Sequence, residues 1–314
     1  MIVAARSQSM NPAVGVTWKV LSVMAFTVML TIVKIVGERV PVGEVLFARS
    51  FFGLVPVIVV IAWTGHLHDA MKTNSIFGHL KRSAAGLFAM GFWFSALEYL
   101  PLPEATAIVY VAPLIMVVLA VFLLGETVRI YRWSAVGIGF AGVVVILIPQ
   151  IREGFDIARN ASAFGAMLAL CAACFMALAS VFVRQLAGTE STTTIVLYFM
   201  IAGSVMTLLT LPTWVVPSPM DLFWLVSLGV FGGIGQLLLT QAYQHAEASL
   251  IAPFEYTSMI WVILVGYFVF GEVPSIYVIV GAAIVIASGI FVIFRERRLG
   301  LQRAERKVGG PLRP

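Results

Sequence analysis

The residues with most chemistry to offer are a few polar side chains stranded in apolar sequence. Glu255 is the seventh residue of an apolar run that begins at Ser249, roughly 10 Å deep at about 1.5 Å per helical residue. Gln236, Thr240 and Gln244 recur at i, i+4 and i+8, with Gln241 beside them, and so share one helix face. Arg49 lies seven residues beyond Val42 with Glu44 about one turn above it, while Lys34, Glu98 and Glu104 stand at the ends of neighbouring runs. Trp93 and Trp261 fall well inside their runs, and Tyr99 and Tyr110 flank a Pro-rich turn. In hydrocarbon such groups turn to a bundle interior or a water-filled path. There Glu255 would bind a solute, exchange a proton, or partner another polar helix. The Gln236 row would hydrogen-bond an uncharged ligand or join helices. The rings would stack on a planar solute or simply pack.

The elements that must position these groups follow from composition. With 61% hydrophobic and 11% charged residues, and a mean hydropathy of +1.01, the 314-residue chain has lipid as its solvent. Its apolar runs are of span length without strand alternation, so they predict helices. Ten can be marked: Val16 to Val36, Val42 to Ala62, Leu80 to Tyr99, Ala105 to Leu124, Trp133 to Pro149, Ser162 to Val183, Thr193 to Leu211, Leu222 to Tyr243, Ser249 to Phe270 and Ser275 to Phe294. The expected class is an all-α polytopic membrane protein with ten transmembrane helices. The divisions are an N-terminal tail (1–15), a first five-helix repeat (16–149), a linker (150–161), a second five-helix repeat (162–294) and a basic tail (295–314).

The repeat is visible directly. Shifting the chain by 146 residues lays Ala242–Glu272 over Ala96–Glu126 without a gap, matching Ala96 with Ala242, Tyr110 with Tyr256, Phe122 with Phe268 and Gly125-Glu126 with Gly271-Glu272. An odd number of spans per copy makes the second copy enter the membrane upside down, which predicts two inverted repeats. Placing the N-terminus in the cytoplasm gathers fifteen Lys and Arg residues on that side and leaves Lys34, Arg39, Arg49, Arg152 and Arg159 toward the other, so both termini are expected to be cytoplasmic. Lys34, Arg49 and Glu98 then form a set of charges at the outer mouth. No signal peptide is expected to be removed, because the first fifteen residues lack the ordered regions of one.

Other motifs are read more plainly. The net charge of +5 comes from loops and tail, which suits anionic lipid and gives no case for nucleic acid. Cys171 and Cys174 lie within an apolar run and read as small packing residues; His66, His68 and His79, with Asp69 and Lys72, read as a solvated loop and not a metal site. Gly125-Glu126 and Gly271-Glu272 read as turn devices, Glu104 as a first-turn helix carboxylate, and the glycines at 229–235 and 137–142 as close-packing signals. No P-loop, HExxH pair or GxSxG elbow is present, so an intramembrane enzyme is a remote alternative, as is a channel subunit.

The Gly-Glu pairs closing the fourth and ninth runs, Arg49 in LFARSFFG, Lys34 at the end of the first run and Gly53 echoed by Gly203 resemble the ten-helix EamA-type carriers of the drug/metabolite transporter superfamily, over residues 16 to 294. The resemblance implies a secondary carrier in the inner (plasma) membrane of a bacterium, with a small-molecule substrate, no cofactor, and a cavity lined by the third, fourth, eighth and ninth helices. Its run GLFAMGFWFSALEYLPLPEATAIVYVAPL is most similar to riboflavin uptake carriers; the alternative is an exporter of amino acids or other metabolites. The expected assignment has Trp93, Tyr99, Tyr110 and Trp261 stacking on the solute, Gln236, Thr240 and Gln244 hydrogen-bonding it, and Glu255 binding it or exchanging a proton. Association into a homo-oligomer is left open.

Overall fold

The computed structural model describes residues 12–64, 71–73, 75–124, 130–152, 160–186, 189–245 and 252–308. Among them every regular element is helical, and the ten expected spans are all present. The first span is α1 (Pro12–Gly37). The second is broken into α2 (Val42–Phe51) and α3 (Leu54–Thr64). The third is α4 (Ile76–Tyr99), and the fourth is again broken, into α5 (Leu102–Val109) and α6 (Ala112–Leu124). The fifth and sixth are α7 (Ile130–Arg152) and α8 (Ala161–Leu186). The seventh runs from α9 (Thr192–Thr207) into the 3-10 helix Leu208–Thr213, and the eighth is α10 (Pro219–His245). In the ninth the 3-10 helix Ala252–Thr257 precedes α11 (Ser258–Phe270). The tenth, α12 (Ile276–Val308), continues as helix into the basic tail.

Each break has a local cause. Pro113 cannot donate to the carbonyl one turn back, and its ring disfavours helix in the residue before it; the chain therefore turns at Tyr110–Val111. Pro56 does the same to the second span just after Phe52–Gly53. The unbroken starts are capped by side chains: Ser75 accepts from the Gly78 amide at 3.3 Å, Ser191 from Thr194 at 3.1 Å, Ser218 from Asp221 at 3.1 Å, and Asn160 from Ser162 at 3.0 Å. Caps of this kind satisfy amides that would otherwise face hydrocarbon. Among the described residues six spans are long and apolar enough to cross a membrane by length and composition; α4 carries Lys81, Arg82 and Glu98, which dilutes its apolar character.

The three most extensive packings each join a span of the first half to one of the second: third with sixth, first with eighth, fifth with tenth. Most of the expected glycine signals lie in seams between the halves, but Gly137 does not: it is exposed, and a Cβ there would meet nothing. A Cβ on Gly233 would stand 2.5 Å from the Gly53 carbonyl oxygen, where α10 crosses the break in the second span. A Cβ on Gly281 would stand 2.6 Å from the Gly142 carbonyl oxygen and 2.4 Å from Ile146. Even if the Ile146 side chain moved, the Gly142 carbonyl would still obstruct a side chain at 281. Gly281→Val is therefore expected to lower stability by about 1–3 kcal/mol, the usual cost of overpacking, measured as thermal unfolding in detergent. On α8 the small residues Ala169, Ala172 and Ala173 are buried, but Cys171 is half-buried and Cys174 exposed, so the packing reading fails for Cys174, which lies on the outer face of the helix.

Candidate functional site

The broken fourth and ninth spans meet at their interruptions. Tyr110, at the turn after α5, packs edge-on against Tyr256 with ring centroids 5.3 Å apart, so the two residues matched by the 146-residue shift touch each other. The Tyr110 hydroxyl is hydrogen-bonded to Ser258 Oγ, and that oxygen lies 2.7 Å from the Glu255 carbonyl. Gly289 on α12 leaves the notch for the Tyr256 hydroxyl, since a Cβ there would stand 1.9 Å from that oxygen. Beside the rings, Glu255 is ion-paired with Lys19 of α1. The pair is asymmetric: the Lys19 side chain is 2% exposed and that of Glu255 54%. The accessible Glu255 carboxylate can receive a cationic group or a proton only by loosening its hold on the buried Lys19 ammonium, so the two events would be linked.

A cavity of about 300 Å³ opens at the α4–α5 end of the bundle, lined by Lys34, Glu38, Phe94, Glu98, Tyr99 and Glu272 among others. It is at the small end of the range for metabolite pockets. Glu272 ties it together: its carboxylate pairs with Lys34 and accepts the Leu102 amide of α5 at 2.9 Å, while Lys34 also donates to the Leu100 carbonyl at 3.1 Å. Gly271 makes this possible by adopting φ +67° after α11, with the Glu272 amide returning to the Gly266 carbonyl at 2.8 Å. The turn device expected at Gly271-Glu272 is therefore present, and its carboxylate also caps a helix of the other half. Gly125-Glu126 lies outside the described residues.

Arg49 is elsewhere. Lys34 and Glu98 share the cavity, but Arg49 is 4% exposed between α2, α9 and α10, its Nη1 3.6 Å from Met200 Sδ and its guanidinium 5.2 Å from the Phe199 ring centroid. Neither Glu44 nor Glu98 pairs with it; Glu44 accepts the Val215 amide at 3.2 Å. Arg82 of α4 covers the same Phe199 ring at 3.5 Å. Two cation–π contacts are worth about 2 kcal/mol each at best, against several kcal/mol to dehydrate each ion. The ring alone does not offset the burial. His79 is buried too, stacked on Tyr198 at 4.6 Å, so the solvated-loop reading fails for it because α4 starts earlier than expected and turns it inward; His66, His68 and Asp69 lie outside the described residues.

The four rings expected around a solute do not form one box. Tyr110 contacts Tyr256, and Tyr99 lies edge-on to Phe164 at 5.1 Å; among the described residues no ring contact links Trp93 or Trp261 to either. Trp93 packs on the main core with its Nε1 buried and unpartnered. Gln236 is half-buried on α10, one turn from Gly232, which faces Met29 and Arg49; the side chains of Thr240 and Gln244 lie outside the described residues. Sequence reasoning missed Lys19, Arg82, Ser258 and the bridging role of Glu272. The first two carried the same signal as Glu255, a charge inside a span, but served only in the count of cytoplasmic positives.

Comparison with known proteins identifies the architecture. The sequence pattern of the EamA-like transporter family matches twice, at residues 13–148 and 163–295. The S-adenosylmethionine uptake transporter of Rickettsia prowazekii (strain Madrid E) is 28% identical over 285 residues, 90% of this chain and 94% of that protein. The riboflavin transporter of Vibrio cholerae is 27% identical over 303 residues, 95% and 98% of the two chains. The pseudopaline exporter CntI of Pseudomonas aeruginosa is 27% identical over 282 residues, 88% and 94%. A solved crystal structure superposes with a TM-score of 0.63 at 20% identity, covering 88% of this chain and 96% of its own, which supports the fold. The chain, a multi-pass membrane protein built from two copies of one pattern, belongs to the EamA-like transporter family.

Proposed function

We propose that the chain is a secondary carrier that takes up a small heteroaromatic metabolite across the bacterial inner membrane by alternating access, with the two halves as inverted repeats rocking about the crossing of spans four and nine. The observation that carries this reading is the meeting of two broken spans at Tyr110 and Tyr256 beside the Lys19–Glu255 pair. Interrupted spans near the midplane are where carriers of this construction bind solute. The packing of third with sixth and first with eighth spans is the exchange that a two-fold axis between halves produces, which supports the inverted arrangement. The Lys and Arg distribution supports cytoplasmic termini.

Riboflavin is the first candidate, from the ring-rich third and fourth spans and the riboflavin-transporting relatives. The accessible Glu255 carboxylate favours a second, S-adenosylmethionine, whose cationic groups it would pair with and which names other relatives. Counterflow in liposomes loaded with each unlabelled compound tests both. Saturable accumulation of labelled riboflavin, and rescue of a riboflavin auxotroph lacking uptake, is the expected result; accumulation of S-adenosylmethionine alone transfers the assignment to it. No counterflow with either, together with resistance to amino-acid analogues in expressing cells, would leave the exporter reading in its place.

A further inference from the structure

Among the described residues eight buried side-chain nitrogen and oxygen atoms have no hydrogen-bond partner, and seven of them lie on α2 or the start of α4: Arg49 Nε, Ser50 Oγ, both His79 ring nitrogens, Arg82 Nε and Nη1, and Ser83 Oγ. They converge on one stretch of α9. Arg49 and Arg82 both approach the Phe199 ring, His79 stacks on Tyr198, and Ser50 Oγ lies against Gly203, one turn beyond Phe199. The contrast with the rest of the bundle is sharp. Ser22, Thr27, Thr106, Ser204, Thr207 and Ser288 all give their hydroxyls to a carbonyl three or four residues back, whereas Ser50 and Ser83 do not.

Native buried polar atoms without partners call for an explanation. Three of the seven are guanidinium nitrogens, and the carboxylate beside His79 is already engaged: Glu190 accepts from Thr73 at 2.9 Å and stands 3.9 Å from His79 Nε2. The backbone is also cut back around the arginines. A Cβ on Gly86 would stand 2.9 Å from the Phe199 ring and 3.1 Å from Arg82 Nη1, and one on Gly203 would stand 2.5 Å from Ser50 Oγ. Two buried guanidiniums against one ring keep N–H donors unused, and the planar fork of arginine is the donor set that anionic oxygens take up.

We infer that the Arg49–Phe199–Arg82 cluster, between spans two, three and seven, is an anion site that takes the carboxylate of a small organic acid or of a carboxylate-bearing solute. The inference rests on the carrier reading and favours its second candidate over its first, because riboflavin carries no such group and S-adenosylmethionine does.

The test uses the full chain purified in detergent, with thermal unfolding titrated by succinate, neutral succinamide, inorganic phosphate and glycerol 1-phosphate. Succinate is expected to raise the melting temperature saturably and succinamide to leave it unchanged. Arg82→Gln and Arg49→Gln are each expected to weaken the succinate response at least tenfold. Arg82→Lys, which keeps charge and length and so protects the fold, is expected to weaken it several-fold by losing the fork. Equal responses to succinate and succinamide, an unchanged response in Arg82→Lys, or a response to glycerol 1-phosphate without one to succinate would overturn the assignment, the last in favour of a lipid headgroup. Counterflow separates this from the carrier reading. If no solute is exchanged yet succinate still binds through Arg82, the carrier reading falls and the anion site stands; if exchange proceeds and is indifferent to succinate and to Arg82→Gln, the anion site falls alone.

Discussion

Glu255→Gln is expected to cut uptake at least tenfold and to lower stability by about 3 kcal/mol. The reason lies in its partner. Lys19 is 2% exposed and pairs with Glu255, so removing the carboxylate leaves an ammonium uncompensated in an apolar seam between α1 and the ninth span. Breaking a buried pair from one side costs about 3–5 kcal/mol, and the lower figure applies here because the carboxylate itself is half-exposed and screened by water. The double variant Lys19→Met, Glu255→Gln should recover most of that stability and none of the transport. A double-mutant cycle on thermal unfolding in detergent, run beside vesicle uptake, checks both halves of the statement. Additive destabilisation would show that the pair is not coupled; normal uptake by the double variant would remove the charges from the mechanism and leave them a packing role.

The second large effect is expected at Glu272. Its carboxylate holds Lys34 of α1, the Leu102 amide of α5 and, through the Gly271 turn, the end of α11, so one side chain joins three spans of both halves. Hydrogen bonds to a charged group are worth about 1.5–3 kcal/mol each, and Glu272→Gln should cost about 2 kcal/mol while loosening the α4–α5 end. The cavity there would then open more often. A cysteine placed at Phe94, which lines the cavity, in a background with Cys171 and Cys174 replaced by Ala, should react faster with a membrane-impermeant thiol reagent once Glu272 is Gln. An unchanged rate would mean that the Glu272 bridge does not hold this end shut.

The ten spans were legible because hydrocarbon imposes a length: each run near twenty apolar residues must close its own backbone hydrogen bonds. The positions of Gly271 and of most glycine seams were legible for a related reason, since each answers a local geometric demand. The direction in which a side chain faces was not. A helix apolar on all sides shows no stripe to mark its neighbours. Arg49 was therefore assigned by its depth along a straight span toward the outer mouth, when it turns sideways onto Phe199. Glu255 stood out by its isolation and Tyr110 by its repeat mate Tyr256, but their contacts Lys19 and Ser258 come from positions that no period links to them. The bridging of Glu272 to Leu102 spans 170 residues of chain, and only the folded bundle brings them together.

That the largest seams run between the halves rather than within them has a consequence for how the protein is made. When the ribosome has delivered the first five spans, α1, α4 and α7 still lack the surfaces that they will grip, which are α10, α8 and α12. The nascent half must wait in lipid with its glycine grooves and its lysine at position 19 unmatched, and it is open to quality-control proteases throughout that interval. A chain of this design is finished in one late act of assembly, and truncation near the linker leaves the first half with nothing to close against.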